Sequence, residues 1–206
     1  SDASFNSVTV GKGANSVGGN TVLGQNALDA SVSGGNNTAI GLSALTELTS
    51  GANNIAVGGY SGDAITTGQA NTSIGYSSLS ATTTANFNTA VGRSALQKNT
   101  TAASNVAVGH QSLKENTTGT YNVAVGASAL DANTTASYNT ALGYNSLTTN
   151  TTGEQNVAVG TEALNSNTTG DNNVSVGLQA LYDNTTGDNN TAIGKRALGD
   201  NTTASN

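Results

Sequence analysis

Side chains able to do chemistry are few in this 206-residue chain: a single histidine, no cysteine, and twelve acidic residues against six basic ones. His110 has no Cys, second His or Ser-Asp pair at a spacing that would build a metal centre or an activated nucleophile, so an exposed side chain is expected there. Glu154, Asp171 and Asp188 recur every 17 residues. On stacked coils ~4.8 Å apart such carboxylates would share a Ca²⁺ or simply repel one another on a solvated face, and the solvated face is the expected case. Phe87, Tyr121 and Tyr138 also fall on one 17-residue column. They are the candidates for surface contact, by stacking on sugar rings or by packing along a coil edge or between chains, and packing is the expected case. With so few titratable groups, no catalytic residue, cofactor or metal is expected, and the chain is not read as an enzyme.

Charge and hydropathy exclude further classes. Charged residues make up 9% of the chain and sum to −6, without a basic stripe to neutralise phosphates, so neither nucleic acid nor an anionic membrane surface is an expected partner. No apolar run approaches the roughly 20 residues of a membrane span, so no membrane insertion is expected. The chain begins at Ser1, without an initiator Met and without a charged-then-apolar leader, and reads as part of a longer protein.

What positions these side chains is a repeat. A short run of Asn, a β-branched or aliphatic residue, a small residue and an aliphatic one ends in glycine at Gly24 and then at every seventeenth residue to Gly194. Numbered from its Asn, the unit is N-[TVI]-[AS]-[VIL]-G-x-x-[AS]-L-x-x-N-T-T-[GA]-x-x, and eleven units run from Asn20 to Asn206 without insertion or deletion. Invariant spacing means that each residue belongs to a stacked coil rather than a free loop. The predicted fold is therefore all-β: a parallel β-solenoid, or β-roll, of 17-residue repeats over 20–206, preceded by a short irregular first coil over 1–19. Twelve coils at ~4.8 Å each give about 58 Å.

The columns of the repeat carry the local expectations. From Asn20 onward charge falls only at positions 6, 7, 10, 11 and 16, which must face solvent, because a stacked charge in a dry interior is costly. Positions 2 and 4 share one strand face and, with Leu at position 9, are expected to form the core. Position 3, nearly always Ala or Ser, is expected to face outward against another chain. The stretch around the Leu has room for one helical or 3₁₀ turn at most. Asn at position 1 (Asn20, Asn37, Asn54, Asn71, Asn88, Asn105, Asn122, Asn139, Asn156, Asn173 and Asn190) is read as an amide ladder, and Asn-Thr-Thr from Asn99 onward as a second. The seven N-T-T runs match the N-glycosylation pattern, but their locking to the period favours a structural turn.

The stretch N-S-V-T-V-G-K-G-A from Asn6 to Ala14 resembles the head repeats of YadA-like trimeric autotransporter adhesins. The longer unit, such as Asn122 to Tyr138, is similar to the N-T-A-[IV]-G-x-x-A-L-x-x-N-T-T-G arrays of phage tail-fibre and bacterial fibre proteins. The resemblance implies a homotrimeric fibre: a structural and adhesive segment of an extracellular appendage or virion tail, projecting a binding tip toward a cell-surface glycan or receptor. Two alternatives stand beside it, an ice-binding monomeric solenoid and a filament subunit that assembles end to end.

Overall fold

The computed structural model describes residues 2–205 and is an all-β, parallel β-solenoid whose coils follow the 17-residue unit. Two compact units divide the chain, one ending at Ser104 and one beginning at Asn105. The first holds β1 (Ala3–Phe5), β2 (Val8–Gly11), β3 (Thr21–Gly24), β4 (Thr38–Ile40), β5 (Ile55–Val57), β6 (Thr72–Ile74) and β7 (Thr89–Val91). The second holds β8 (Val106–Val108), β9 (Val123–Val125), β10 (Thr140–Leu142), β11 (Val157–Val159), β12 (Val174–Val176) and β13 (Thr191–Ile193). Each coil supplies one short strand, and within each unit, from β3 to β7 and from β8 to β13, each strand pairs in parallel with the next at an offset of one repeat, as in Thr140↔Val157 and Leu142↔Val159. Axial hydrogen bonds continue around the coil: Leu130 N–H donates to the Ser146 carbonyl at 3.0 Å, and Thr117 N–H to that of Thr134 at 2.8 Å.

The segment before Asn20 departs from the expected parallel coil. β2 runs antiparallel to β3, pairing Val10 with Leu23, and β1 folds back antiparallel on β2. Asp2 secures this hairpin by accepting the backbone N–H groups of Lys12 at 2.8 Å and Gly13 at 2.6 Å. Without the A-L element and the N-T-T turn, 1–19 cannot complete a coil, and a hairpin is the shortest way to pair the strand.

The interior is the reverse of the expected one along the strands. Position 3 is buried inside its own coil, as at Ala39, Ala107 and Ala158, each with 0% exposure, while the residues at positions 2 and 4 stand outward. Alternation distinguishes two strand faces but not which is inside; here the coil is narrow, and opposite the Leu at position 9 it takes Ala or Ser beneath the strand in every unit except the first, where Val22 is buried. The Ala/Ser column therefore reports a tight interior and not a neighbouring chain. That Leu is the bulky core residue of each coil, fully buried from Leu28 through Leu181 wherever it occurs, and each such side chain contributes roughly 1.5–3 kcal/mol. The rest of the core is Asn at position 1, Ala or Ser at 8, position 12 (Leu48, Ile65 and Thr82, then Asn from Asn99 onward) and Gly or Ala at 15.

No helical turn forms around the Leu. Positions 7 and 9 are both left-handed, as at Ser128 (φ 53°) and Leu130 (φ 56°), and position 17 is left-handed as well, as at Tyr138 (φ 63°). These residues turn the corners of the coil. Gly62, which interrupts the Leu column, fits its place at φ 56° without a side-chain penalty. The volume left by the missing Leu is filled from position 12, where Ile65 stands in place of Asn: a Cβ on Gly62 would lie 2.9 Å from the Ile65 Cδ1. Gly62→Leu alone is expected to destabilise by about 1–3 kcal/mol through overpacking. Adding Ile65→Asn is expected to recover most of that loss, and urea unfolding of the single and double variants measures the coupling.

Candidate binding surfaces and the ladders that hold them

Hydrogen-bonded columns hold the backbone from which the outward side chains project. In the first Asn column, Oδ1 of Asn122 accepts the Asn139 backbone N–H at 3.0 Å, and Oδ1 of Asn139 accepts that of Asn156 at 2.9 Å. The amide of Asn139 donates to the Gly153 carbonyl of the next coil at 2.9 Å. Both partners are buried backbone groups that β pairing leaves over, so the side chain completes the corner. The second column works differently: Asn150 donates to Oδ1 of Asn133 at 3.3 Å and to the Gly153 carbonyl, within its own turn, at 2.9 Å. Because the Asn residues of the N-T-T runs from Asn99 to Asn184 are fully buried, the folded chain presents no amide nitrogen there to a glycosylating enzyme. Thr at position 13 extends the system, with the Thr151 hydroxyl donating to the Thr168 carbonyl at 3.0 Å.

The carboxylate column at position 16 has a structural role that the repeat pattern alone did not reveal. Oδ1 of Asp171 accepts the Glu154 backbone N–H at 2.7 Å, and Oδ1 of Asp188 accepts that of Asp171 at 2.7 Å. Asn86 does the same for Gln69 at 2.7 Å, and Ser137 for Thr120 at 3.0 Å. Residues as different as Asp, Asn and Ser are interchangeable in this column because each supplies one acceptor to the coil before it. Their shared short polar character was the available signal. Among the described residues no group of three or more His, Asp or Glu side chains is placed to hold a metal ion.

Other candidate residues are only partly brought together. Tyr121 and Tyr138 stack with ring centroids 5.3 Å apart and planes 10° from parallel, each more than half exposed. Each ring covers one face of the other, and that face is closed to a sugar. Phe87 lies in the other unit, exposed by itself. Tyr60 and Tyr76 meet edge to face at 5.8 Å. His110 is exposed. Partial burial beside Glu47 pushes the Asp63 carboxyl above the ordinary carboxylate range, with desolvation the larger cause.

The strand face is an uncharged surface. In β8–β13, positions 2 and 4 are aliphatic at ten of twelve sites, the exceptions being Thr140 and Thr191; in β3–β7 four of the ten are Thr. None of these positions in either unit carries a charge. Six strands at ~4.8 Å make a strip about 29 Å long in the second unit, and at about 10 Å width it covers roughly 290 Å². A strip of that size is close to the largest apolar patch of an ordinary soluble monomer, which is often a functional surface. The chain matches no family model, no curated protein and no solved structure.

Proposed function

We propose that the chain is a structural and adhesive fibre segment in which three copies pack their strand faces around a common axis. The observation that carries this is the outward pair at positions 2 and 4: uncharged in every coil, mostly aliphatic, and held flat by in-register pairing. A face of that chemistry is better covered than wet, and around a threefold axis each strip meets both neighbours. The resemblance to trimeric adhesin and tail-fibre repeats supports the same stoichiometry and an extracellular or virion setting, with surface glycans or receptors as partners. The contact then falls on positions 2 and 4, in place of the buried Ala/Ser column.

Light scattering coupled to size exclusion tests the proposal, with a mass of three chains expected. Because Val157 and Val159 lie outside the coil, changing both to Lys is expected to lower the mass to one chain and leave the β signal in circular dichroism intact. A wild-type mass of one chain overturns the trimer. A second reading then gains ground, because the strip and the exposed Thr column at position 14, from Thr67 to Thr203, would present hydroxyls and methyls to water at ~4.8 Å intervals. Thermal hysteresis would support that ice-binding role, and its absence would remove it.

A further inference from the structure

Column 10 departs from its pattern at two successive coils. Tyr182 is the only aromatic residue in the column, and the next coil has Gly199 there, the only residue in the column without a side chain. The ring of Tyr182 therefore has no side chain stacked on it from the following coil, and the space between is a cavity of about 330 Å³ lined by Gln179, Tyr182, Asp183, Arg196, Gly199 and Asp200. Its size is at the lower end of pockets that hold small organic ligands, roughly 300 Å³ and upward. The walls are fixed. Arg196 Nε donates to Gln179 Oε1 at 2.8 Å, and Gln179 Nε2 donates to Glu162 Oε2 at 2.7 Å. The Asp183 N–H donates to the Gly199 carbonyl at 3.0 Å and ties the two coils together beneath the cavity.

We infer that this cavity is a carbohydrate subsite for a neutral pyranose carrying a vicinal diol. An aromatic face takes the C–H face of a sugar ring. Carboxylates accept charge-assisted hydrogen bonds from paired hydroxyls, and an amide and a guanidinium supply donors to the remaining oxygens. Asp183 and Asp200 outnumber Arg196 among the lining residues, and the resulting negative charge disfavours acidic sugars. This inference deepens the adhesive reading by naming a ligand class, and it does not depend on the oligomeric state.

The test is saturation-transfer NMR on the full chain with methyl β-galactopyranoside, methyl β-glucopyranoside and methyl α-mannopyranoside, and with methyl glucuronide as the acidic control. At least one neutral glycoside is expected to bind, with Kd on the order of 1 mM, and the glucuronide at least tenfold more weakly. Gly199→Leu puts a side chain where each other coil carries one. Its Cβ would lie close to the Arg196 carbonyl, at 3.1 Å, but the backbone at this position carries a side chain in each of the other coils, so this variant is expected to keep its β signal in circular dichroism and to lose binding at least tenfold. Tyr182→Ala is expected to do the same, and Tyr121→Ala to change nothing. Absence of binding by all three neutral glycosides, or binding that survives both Gly199→Leu and Tyr182→Ala, overturns the inference. A trimeric mass without sugar binding would sink the subsite alone, whereas sugar binding by a monomer would sink the trimer alone.

Discussion

Asn139→Ala is expected to lower the unfolding free energy by about 2–4 kcal/mol, a large effect for a polar residue. The side chain accepts the Asn156 N–H and donates to the Gly153 carbonyl, so truncation orphans that N–H in a dry corner and leaves the carbonyl with only its bond from Asn150. An orphaned buried N–H costs about 1–3 kcal/mol, and the lost second bond to the carbonyl about 0.5–1.5 kcal/mol more. Asn139→Leu, which keeps the volume, is expected to fare no better, because the loss is one of hydrogen bonding rather than packing. The decisive measurement combines a urea midpoint with native-state hydrogen exchange. The Asn156 amide should lose its protection, while amides several coils away, such as that of Val106, keep theirs. An unchanged Asn156 amide would mean that the ladder adds nothing to the strand pairing.

Gly126→Ala is expected to be equally damaging, at roughly 3–5 kcal/mol, by a different mechanism. Gly126 has φ 141°, which L side chains rarely adopt, and a Cβ there would lie 2.6 Å from the carbonyl carbon of Gly143 in the next coil. Relief would require that coil to move, and it is locked to the following one by the same contact. Gly59→Ala is the control, since its Cβ would approach only the Tyr76 ring, at 3.6 Å. A shift within about 0.5 kcal/mol is expected for it. Equal effects of the two substitutions in thermal unfolding would refute the close-approach explanation.

Much of this architecture was legible in the sequence, because a solenoid repeats each constraint once per coil. Glycine at Gly126 and its counterparts, the confinement of charge to five columns, and the Asn columns all follow from what a neighbour one coil away forbids or requires. The strand's orientation was not legible from alternation alone, since Val123-Ala124-Val125 is equally compatible with either face inward. Volume decides it: with Leu130 filling the coil, the small Ala124 faces inward and the two bulkier Val residues face out. Gly62 shows another limit, because its compensation by Ile65 depends on two side chains meeting across the interior. The acceptor role of Asp171 was hidden for a related reason. A carboxylate in an exposed column suggests solvent, and only the backbone N–H of the preceding coil reveals its partner. The opening beside Tyr182 likewise depends on a missing side chain in the next coil.

The one-repeat offset of the β ladders has a consequence for how such a molecule changes length. Within each unit, almost every bond that holds a residue in place points to its counterpart one repeat away. Removing or duplicating any 17 consecutive residues of the repeats from Asn20 onward, whatever the starting point, therefore rejoins matching partners, whereas losing a single residue misaligns every column downstream of it. Length is inherited in whole-coil increments. Unequal recombination between repeats would lengthen or shorten the stack as a ruler is extended or cut at its marks, and the gene is far freer to vary in reach than in cross-section.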